Sequence, residues 1–426
     1  MERYESYKDS GIEWIGKIPS HWKIYRFKDF LTLQNVVSSN ENKIGLENIE
    51  GGTGRFIETN TDFDGNGIEF DVGDIVYGKL RPYLQKVWVA TFNGNAVGDF
   101  FVFRTKPICD RQYVFYVMLS EGFTAICNGA TFGTKMPRVS SDFIRCLHFY
   151  LPPFVEQQAI AAYLDKRCSE IDKAIATQQK RIALLQELKQ SIITHAVTRG
   201  IHPDVPLKES GVEWIGKVPK HWEVRRMKFL TREYKAGPFG SALITSKLSD
   251  NGSVLVYTPE HIANQSTQLV NNLYLPETRV KEMSQFFVKV NDVIFSIVGT
   301  LGRAMLITED MPKGIINQRL AKFSVNEKDI LIEYLLWLFA HSIFYEHYMQ
   351  LYQRGSVIVN LTKEIIGNMP VPLPPINEQY QIVAYLKECT IKLDTYIAHA
   401  EQRIALLQEL KQSIITEAIT GKIKVC

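Results

Sequence analysis

The chain has 426 residues, of which 45% are hydrophobic and 22% are charged, which is ordinary for a soluble globular protein of two or three domains. Its formal net charge of +3 neither requires nor excludes a nucleic-acid partner, because only a strongly basic chain would indicate one by charge alone. The six cysteines are scattered without a CxxC pair, which favours free thiols in a reducing cytoplasm over disulfides or a zinc site.

Two similar segments open the two halves of the chain. These leading segments are Lys8–Trp22 (KDSGIEWIGKIPSHW) and Lys208–Trp222 (KESGVEWIGKVPKHW), 200 positions apart. Their glycines and prolines predict irregular structure, and their tryptophans are large apolar anchors. We interpret each leading segment as a staple that fastens the start of one half onto a long helix, with structural roles for His21 and His221.

A variable body follows the first leading segment. Alternating apolar and polar residues predict strands within Gly67–Phe92, and the apolar spacing in Tyr113–Phe123 predicts a helix.

The strongest pattern in the chain is a repeat. The sequence RIALLQELKQSIIT occurs at Arg181–Thr194 and again, without a change, at Arg403–Thr416. In a wider window, residues 151–200 match residues 373–422 at 28 of 50 positions. The chain therefore contains two copies of one plan, each with a leading segment, a variable body and a long helix.

The repeated part predicts a helix much longer than is usual in a globular domain. In the first copy it covers Phe154–Val197, about 66 Å, and Gly200 ends it. Apolar residues recur at alternating steps of four and three, the pattern of a coiled-coil seam, and the simplest partner helix is the other copy. We interpret two polar members, Gln178 and Lys189, as fixing the register. The seam residues are Leu164, Cys168, Ile171, Ile175, Gln178, Ile182, Leu185, Lys189, Ile192 and Ala196, then Leu386, Thr390, Leu393, Ile397, Ala400, Ile404, Leu407, Lys411, Ile414 and Ala418.

The second body has about 22 more residues than the first. Val254–Ile262 and Val290–Ile307 have β-like patterns, and Ile330–Leu351 predicts a helix. Its most apolar part, Ile330–Phe344, is interrupted by Glu333 and His341, so we assign it to a core and not to a membrane span. The ends of the two bodies align at an offset of 222, so we expect one shared fold with divergent residues.

Sequence motifs for catalysis are missing. The chain has no GxxxxGK[ST] phosphate loop and no GxGxxG fingerprint, and no Ser/His/Asp or metal-ligand cluster stands out. Leu151–Phe154 (LPPF) is superficially similar to an amino-methyltransferase signature, but it lacks the leading amide or carboxylate and is better read as a helix start. Glu187–Lys189 (ELK) lies within a heptad and is better read as a solvated helix face than as part of a nuclease site.

Residues suited to nucleic acid are grouped in both bodies. Arg and Lys bind phosphate or guanine, and Asn and Gln pair with adenine edges, although single residues of these types also form ordinary surface contacts. The candidates in the first body are Lys79, Arg81, Tyr83, Lys86, Lys135 and Arg138. The candidates in the second body are Lys235, Ser241, Tyr257, Ser296, Thr300, Arg303, Asn317, Gln318, Arg319, Arg354 and Ser356.

The arrangement resembles the specificity (S) subunits of type I restriction-modification enzymes. The resemblance covers essentially the whole chain and rests on the doubled (E)WIGK(I/V)PxHW and LPP-x2-EQ motifs, GDIVYGKLRPYL in the first body, and GPFGS, GTLGR, NQ, GS and NLT in the second. It implies an α+β fold in which two mixed α/β target recognition domains are joined by two long antiparallel coiled-coil helices, with a pseudo-twofold internal repeat.

In that family each target recognition domain reads one half of an asymmetric gapped DNA site, and the paired helices set the gap. The resemblance implies a non-catalytic, cytoplasmic subunit that has no cofactor or metal of its own and does not bind membranes. The implied partners are double-stranded DNA, two methyltransferase subunits that use S-adenosylmethionine to methylate adenine, and motor-nuclease subunits that use ATP and magnesium.

Four segments follow from this interpretation. Residues 1–150 hold the first leading segment and target recognition domain, 151–200 the first long helix, 201–372 the linker, second leading segment and second domain, and 373–426 the second long helix. Residues 23–150 contain 14 basic and 14 acidic side chains, so we expect the isolated chain to bind DNA poorly and to depend on its partners. Two alternatives stay open: a coiled-coil scaffold whose bodies bind proteins, and a single-chain nuclease or methyltransferase, against which the missing motifs argue.

Overall fold

The computed structural model describes residues 3–12, 15–39, 42–238, 248–298, 304–340 and 362–425, together with Leu243 and Tyr348. The chain divides into two compact units, and each unit takes residues from both copies of the long helix. Unit 1 consists of Met1–Lys180 and Ala400–Cys426, and unit 2 consists of Arg181–His399.

Unit 1 contains the first leading segment and the first body. Its strands are β1 (Tyr7–Asp9), β2 (Lys17–Pro19), β3 (Lys23–Arg26), β4 (Leu31–Gln34), β5 (Val37–Ser38), β6 (Lys43–Ile44), β7 (Gly67–Phe70), β8 (Ile75–Gly78), β9 (Val87–Val89), β10 (Gly94–Ala96), β11 (Phe100–Thr105) and β12 (His148–Leu151). Its helices are α1 (Phe27–Phe30), α2 (Arg111–Leu119), α3 (Glu121–Gly129), α4 (Ser141–Cys146) and the first part of α5 (Phe154–Arg199).

Unit 2 contains the second leading segment and the second body. Its strands are β13 (Leu207–Glu209), β14 (Lys217–Pro219), β15 (Glu223–Arg226), β16 (Thr231–Ala236), β17 (Leu255–Tyr257), β18 (Val293–Ser296), β19 (Ala304–Leu306), β20 (Gly314–Ile316), β21 (Leu320–Val325) and β22 (Pro370–Leu373). Its helices are α6 (Pro259–Asn264), α7 (Ile332–Ala340), α8 (Lys363–Asn368) and the first part of α9 (Ile376–Ile419), whose end belongs to unit 1.

The two bodies share one strand frame. An antiparallel sheet has the order β4-β11-β8-β9 in unit 1 and β16-β21-β18-β19 in unit 2, and a parallel pair is β6–β10 in one and β17–β20 in the other. Strand β3 pairs with β12 as β15 pairs with β22. The strands predicted within Gly67–Phe92 are confirmed as β7, β8 and β9, and the shared fold expected from the aligned ends of the bodies is confirmed.

The same turn precedes the corresponding strands β8 and β18. A carboxylate oxygen of Asp74 accepts the backbone N–H three residues earlier at 2.9 Å, and Asp292 does the same at 2.9 Å. The residue before each aspartate has a positive φ, +92° at Gly73 and +70° at Asn291, a region in which glycine and asparagine are tolerated. The turn therefore survives in both bodies although most of the surrounding residues differ.

Different cations neutralise these two buried aspartates. Arg104 binds both oxygens of Asp74, at 2.8 and 2.7 Å. Asp292 instead accepts from Lys322 at 3.0 Å and from the hydroxyl of Ser324 at 2.6 Å. An unpaired carboxylate would be costly to bury, so each body keeps a partner for it while changing its chemistry.

Each leading segment begins as a β-hairpin, which corrects the prediction of irregular structure. Strand β1 pairs with β2, and β13 pairs with β14, in both cases antiparallel. In the first hairpin Gly11 and Gly16 have φ of +68° and +70°. The glycines that indicated a break thus supply the left-handed conformations that the connection between the strands requires.

The predicted staple is confirmed in both units. Trp22 is fully buried, and its Nε1 donates to Glu156 in the first turn of α5 at 3.1 Å, while Nε2 of His21 lies 2.9 Å from the same carboxylate. The equivalent Trp222 and His221 bind the corresponding carboxylate at the start of α9, at 3.0 and 2.8 Å. The histidines are therefore structural, as expected.

The long helices are confirmed, with 46 residues in α5 and 44 in α9. Every predicted seam residue is buried or partly buried. The start of one helix lies antiparallel to the end of the other in each unit: Lys411 of α9 binds Asp172 of α5 at 2.8 Å in unit 1. In unit 2, Lys189 of α5 binds Asp394 of α9 at 2.7 Å. The polar seam position Lys189 therefore pairs across the helices, as a register-fixing residue should.

A buried tyrosine ties each body to the end of a long helix. The hydroxyl of Tyr113 in α2 lies 3.2 Å from the carbonyl oxygen of Ile419 in α9. The hydroxyl of Tyr334 in α7 lies 3.1 Å from the carbonyl oxygen of Val197 in α5. The last carbonyls of a helix have no intrahelical hydrogen-bond partner. The tyrosine hydroxyls bind such carbonyls and so fasten each body to the end of a long helix.

One helix prediction is corrected, and a second is confirmed over the part that the structure describes. The helix expected over Tyr113–Phe123 is two helices, because the hydroxyl of Ser120 donates to Val117 at 2.7 Å and accepts from the backbone of Phe123 at 3.3 Å, which ends α2 and caps α3. In the second body α7 is confirmed within the helix predicted over Ile330–Leu351. Apart from Tyr348, the rest of that prediction lies outside the described residues.

Candidate nucleic-acid interface

Two segments of the first body lie side by side and hold all six of its predicted site residues. Residues 79–86 connect β8 to β9, and residues 132–138 precede α4; we call them the loop pair. The backbone N–H of Arg81 donates to the carbonyl of Pro137 at 2.8 Å, and two backbone hydrogen bonds of 2.9 and 3.0 Å join the ends of the second segment. The predicted residues, which are up to 59 positions apart, therefore form one surface.

One carboxylate organises the cations of this surface. Arg138 donates to both oxygens of Asp99, at 2.8 and 2.9 Å, and the ammonium of Lys79 lies 3.8 Å from the same carboxylate and 5.5 Å from the centre of the Phe101 ring. The hydrogen bonds from Arg138 hold the pKa of Asp99 below its usual value. The three charges sum to +1, so Lys79 and Arg138 act partly to hold the loop pair in shape.

Three predicted residues of the loop pair face solvent. Arg81 and Lys135 are exposed, and Tyr83 is 53% exposed. Lys86 differs, because its ammonium donates to the carbonyls of Leu46 and Ile49 at 2.7 and 2.8 Å. Burial lowers the pKa of Lys86, so the structure gives this lysine a role in fixing a neighbouring segment.

A tight turn before β21 carries three predicted residues of the second body. Gln318 and Arg319 are exposed, and the side-chain oxygen of Asn317 accepts the backbone N–H of Arg319 at 2.9 Å. A Cβ on Gly237 would lie 1.8 Å from the carbonyl oxygen of Asn317, so only glycine allows this approach. The turn is thus built to present Gln318 and Arg319 to solvent.

Two predicted residues of the second body are in its core. Tyr257 is completely buried in β17, where its hydroxyl donates to the carbonyl of Pro312 at 2.7 Å, and Ser296 is 2% exposed at the end of β18. This burial corrects the expectation that their side chains lie on a surface. Lys235 is partly exposed, with its ammonium 2.6 Å from Gln285 and 5.3 Å from the centre of the Phe286 ring.

Five predicted residues lie outside the described residues. They are Ser241, Thr300, Arg303, Arg354 and Ser356. Thr300 and Arg303 belong to the connection from β18 to β19, which corresponds in chain order to the β8–β9 connection of the first body. Contact between DNA and any residue of the predicted set stays a prediction.

Sequence reasoning missed three residues of the first surface. Asp99 binds Arg138 and lies 3.8 Å from the ammonium of Lys79, and Phe132 and Met136 lie on the second segment of the loop pair with 61% and 46% of their surface exposed. The signal that could have found Asp99 is the recurrence of the turn aspartates Asp74 and Asp292. Aligned on them without a gap, the two bodies place Asp99 opposite Asn317, two positions before the residue that corresponds to it by strand register.

The described residues contain neither a candidate metal site nor a candidate membrane span. No group of three or more His, Cys, Asp or Glu among them is arranged to hold a metal ion. No helix in this part of the chain is both long and apolar enough to cross a membrane.

Comparisons with known proteins agree on one family. The family model described as the type I restriction modification DNA specificity domain matches the chain twice, over residues 19–186 and 219–405. The type I restriction enzyme MjaVIII specificity subunit of Methanocaldococcus jannaschii is 25% identical over 325 residues, covering 75% of this chain and 72% of the relative. The putative type I restriction enzyme MjaX specificity subunit of the same organism is 21% identical over 434 residues, or 96% of each chain.

Two solved structures share the fold. A chain from a study of complex assembly and conformational transition in the type I R-M system gives a TM-score of 0.74 at 17% identity, covering 95% of this chain and 99% of that one. The HsdS subunit from Thermoanaerobacter tengcongensis gives 0.54 at 17% identity, covering 97% and 100%. These likenesses confirm the predicted fold class. Because the two family matches together span most of the sequence, the chain belongs to the type I restriction-modification DNA specificity family, whose domain it carries twice.

Proposed function

We propose that this chain reads an asymmetric, gapped DNA site, with one half of the site read by each body. The observation that carries the proposal is a shared strand frame with different chemistry at one position. Phe100 pairs with Gly78 as Leu320 pairs with Ser296, so the residues before β11 and β21 correspond. That residue is Asp99 in the first body and Arg319 in the second.

The chemistry at this position supports two different half-sites. Asp99 is an anchor for neighbouring cations, whereas Arg319 is an exposed guanidinium that can donate to guanine O6 and N7 or to phosphate. A common frame with unlike side chains is what a protein needs if it uses one docking geometry to read two sequences. An identical pair of surfaces would instead favour a palindromic site.

The paired helices are the proposed spacer between the half-sites. The antiparallel register of α5 and α9 is held by the Asp172–Lys411 and Lys189–Asp394 ion pairs. Removing seven residues between the paired positions of each helix shortens the spacer by about 10 Å, or roughly three base pairs. The expected result is a gap shorter by about three base pairs with unchanged half-sites. Changed half-sites with an unchanged gap would contradict the spacer.

Exposed leucines on the helices support docking of two copies of one partner. Leu184 and Leu188 of α5 are 55% and 48% exposed, and the residues 222 positions later, Leu406 and Leu410 of α9, are 56% and 46% exposed. These two equivalent apolar pairs lie in the identical stretch of the repeat. Equivalent patches fit two equivalent partners, which we propose to be methyltransferase subunits.

In the proposed complex this chain contributes recognition and the partners contribute chemistry. The methyltransferase subunits would bring S-adenosylmethionine and flip the target adenine, and motor-nuclease subunits would bring ATP and magnesium. The chain itself is proposed to need no cofactor. Its balanced charge supports weak binding to DNA by the isolated chain, because few counterions would be released.

The deciding experiment is co-expression with the neighbouring methyltransferase in a host that lacks adenine methylation, followed by genome-wide mapping of N6-methyladenine. The expected result is a gapped, asymmetric motif with one methylated adenine in each half. A continuous short motif would mean that the bodies do not read separate halves. If the complex assembles and no methylation appears, a protein-binding scaffold becomes the better interpretation.

Arg319→Ala is the matched variant for that experiment. It should relax the sequence requirement in the half read by the second body and leave the other half unchanged. Losing one guanidinium contact to a base costs about 1–3 kcal/mol of discrimination, so degenerate sites should appear at one position of that half. If both halves changed together, independent reading by the two bodies would be excluded.

A further inference from the structure

The loop pair exposes large apolar side chains beside its cations. Phe132 is 61% exposed and Met136 is 46% exposed, and exposed Lys135 lies between them in the sequence. In the adjacent segment Tyr83 is 53% exposed next to exposed Arg81. Exposed apolar side chains that are grouped, and not scattered singly, indicate a binding surface.

The backbone that carries these side chains is held firmly. The ends of the 132–138 segment are joined by two backbone hydrogen bonds, and Arg138 is clamped to Asp99 through both of its oxygens. Gly133 has a φ of +90°, which shapes the turn before Lys135. A preorganised surface loses little conformational entropy when it meets a partner, so it suits recognition better than a loose loop.

The charge of the surface selects the partner. Arg81, Lys135 and the net positive Lys79–Asp99–Arg138 cluster lie on the same loop pair as the apolar groups. Nucleic acid combines a polyanionic backbone with apolar base faces and thymine methyl groups, and therefore offers both parts of a matching surface. A hydrophobic protein partner would match the apolar groups but not the cations of the loop pair.

We propose, building on the DNA-reading function above, that Phe132 and Met136 make an apolar contact with bases in the half-site of the first body and help to determine its sequence. The cations position the duplex, and the Phe and Met side chains contact either a thymine methyl group or the face of an unstacked base. Either contact depends on the base, whereas the cations mainly bind phosphate and do not.

The experiment measures binding of the assembled complex, with its methyltransferase partner, to a duplex carrying the mapped motif and to a random duplex. Phe132→Ala and Met136→Ala should each weaken binding to the motif about tenfold or more, as expected for loss of an apolar contact to a base, with little change for the random duplex. Val72→Ala is the control. Val72 is an apolar residue with 56% of its surface exposed, but it lies before the start of β8, whereas the loop pair follows the end of that strand. Phe132→Leu keeps an apolar side chain and should retain part of the affinity.

Two substituted duplexes separate the two kinds of contact. If a thymine methyl group is contacted, replacing each thymine by uracil should weaken binding by the wild-type complex but not by the Phe132→Ala complex. 2-Aminopurine next to the contacted step should brighten with the wild type and not with Phe132→Ala if a base is unstacked.

Several results would overturn the inference. Wild-type affinity in Phe132→Ala and Met136→Ala, or equal losses for motif and random duplex, would remove the base contact while leaving the proposed function intact. Loss of methyltransferase assembly in these variants would show a protein-docking surface instead. Absence of motif-selective binding by the wild type would refute the proposed function, and the inference would fall with it.

Discussion

Lys189 and Lys411 allow a test, within one molecule, of how burial changes the contribution of an ion pair to stability. Both occupy the same place in the identical 14-residue stretch, and both bind an aspartate of the opposite helix, at 2.7 and 2.8 Å. Their surroundings differ, because the Lys411 side chain is 6% exposed and its Asp172 partner 21%, whereas Lys189 and Asp394 are 28% and 56% exposed. We predict that Lys411→Met destabilises its unit much more than Lys189→Met destabilises the other.

The magnitudes follow from the two environments. Removing one partner of a buried ion pair costs about 3–5 kcal/mol because it leaves an uncompensated charge, and the partial exposure of Asp172 lowers this to about 2–4 kcal/mol. Exposed pairs contribute about 0.2–1 kcal/mol. For units of about 200 residues, each kcal/mol shifts Tm by about 2–4 °C, so Lys411→Met should lower the Tm of unit 1 by about 4–16 °C and Lys189→Met that of unit 2 by at most about 4 °C.

Calorimetry of the full chain measures the change in Tm, and hydrogen exchange of peptides from each body assigns the loss of stability to a unit. Methionine keeps the length of the lysine side chain, so the comparison isolates the charge. A double-mutant cycle of Lys411→Met with Asp172→Asn should return a coupling energy, since the neutral amide no longer needs the ammonium. Equal Tm losses for the two lysine variants, or a coupling energy near zero, would refute the assignment of the difference to burial.

Three further predictions concern single side chains. Burial lowers the pKa of His261, so its contribution to the stability of unit 2 is present above about pH 6.5 and is lost as the pH falls toward the folded pKa. His261→Gln should therefore make the unfolding free energy less dependent on pH below about 6.5. Trp22→Phe removes the indole donor to Glu156 and should lower the unfolding free energy of unit 1 by about 1–3 kcal/mol, measured by urea denaturation. The Cβ added by Gly237→Ala would lie 1.8 Å from the carbonyl oxygen of Asn317, so this variant should destabilise unit 2 by about 1–3 kcal/mol and weaken motif binding.

Each of these predictions has a contrary outcome. An unchanged pH profile in the His261 variant would show that the ring does not stay neutral in the fold. Unaltered stability of the Trp22 variant would mean that packing alone fastens the first leading segment. If the Gly237 variant lost stability as expected but bound the motif as well as the wild type, the turn before β21 would have no role in recognition.

The sequence by itself determined the plan of the protein. A 14-residue identity showed the repeat, and the alternating four- and three-residue steps showed that α5 and α9 pair, because a helical seam is a local periodic property that needs no knowledge of the rest of the fold. The paired tryptophan motifs likewise indicated the staple to each helix. These features depend on residues that are close in the chain or repeated within it.

Only the tertiary structure decided which candidate residues face solvent. Tyr257 lies in a core, Lys86 donates hydrogen bonds to two carbonyls, and Arg138 binds Asp99. Phe132, in contrast, is exposed although it is apolar. Residue type shows what a side chain can bind, but its actual partners come from distant segments that folding brings together. Asp99 and Arg138 are 39 positions apart, and nothing local to either residue announces their contact, so the composition of a surface is settled by the fold.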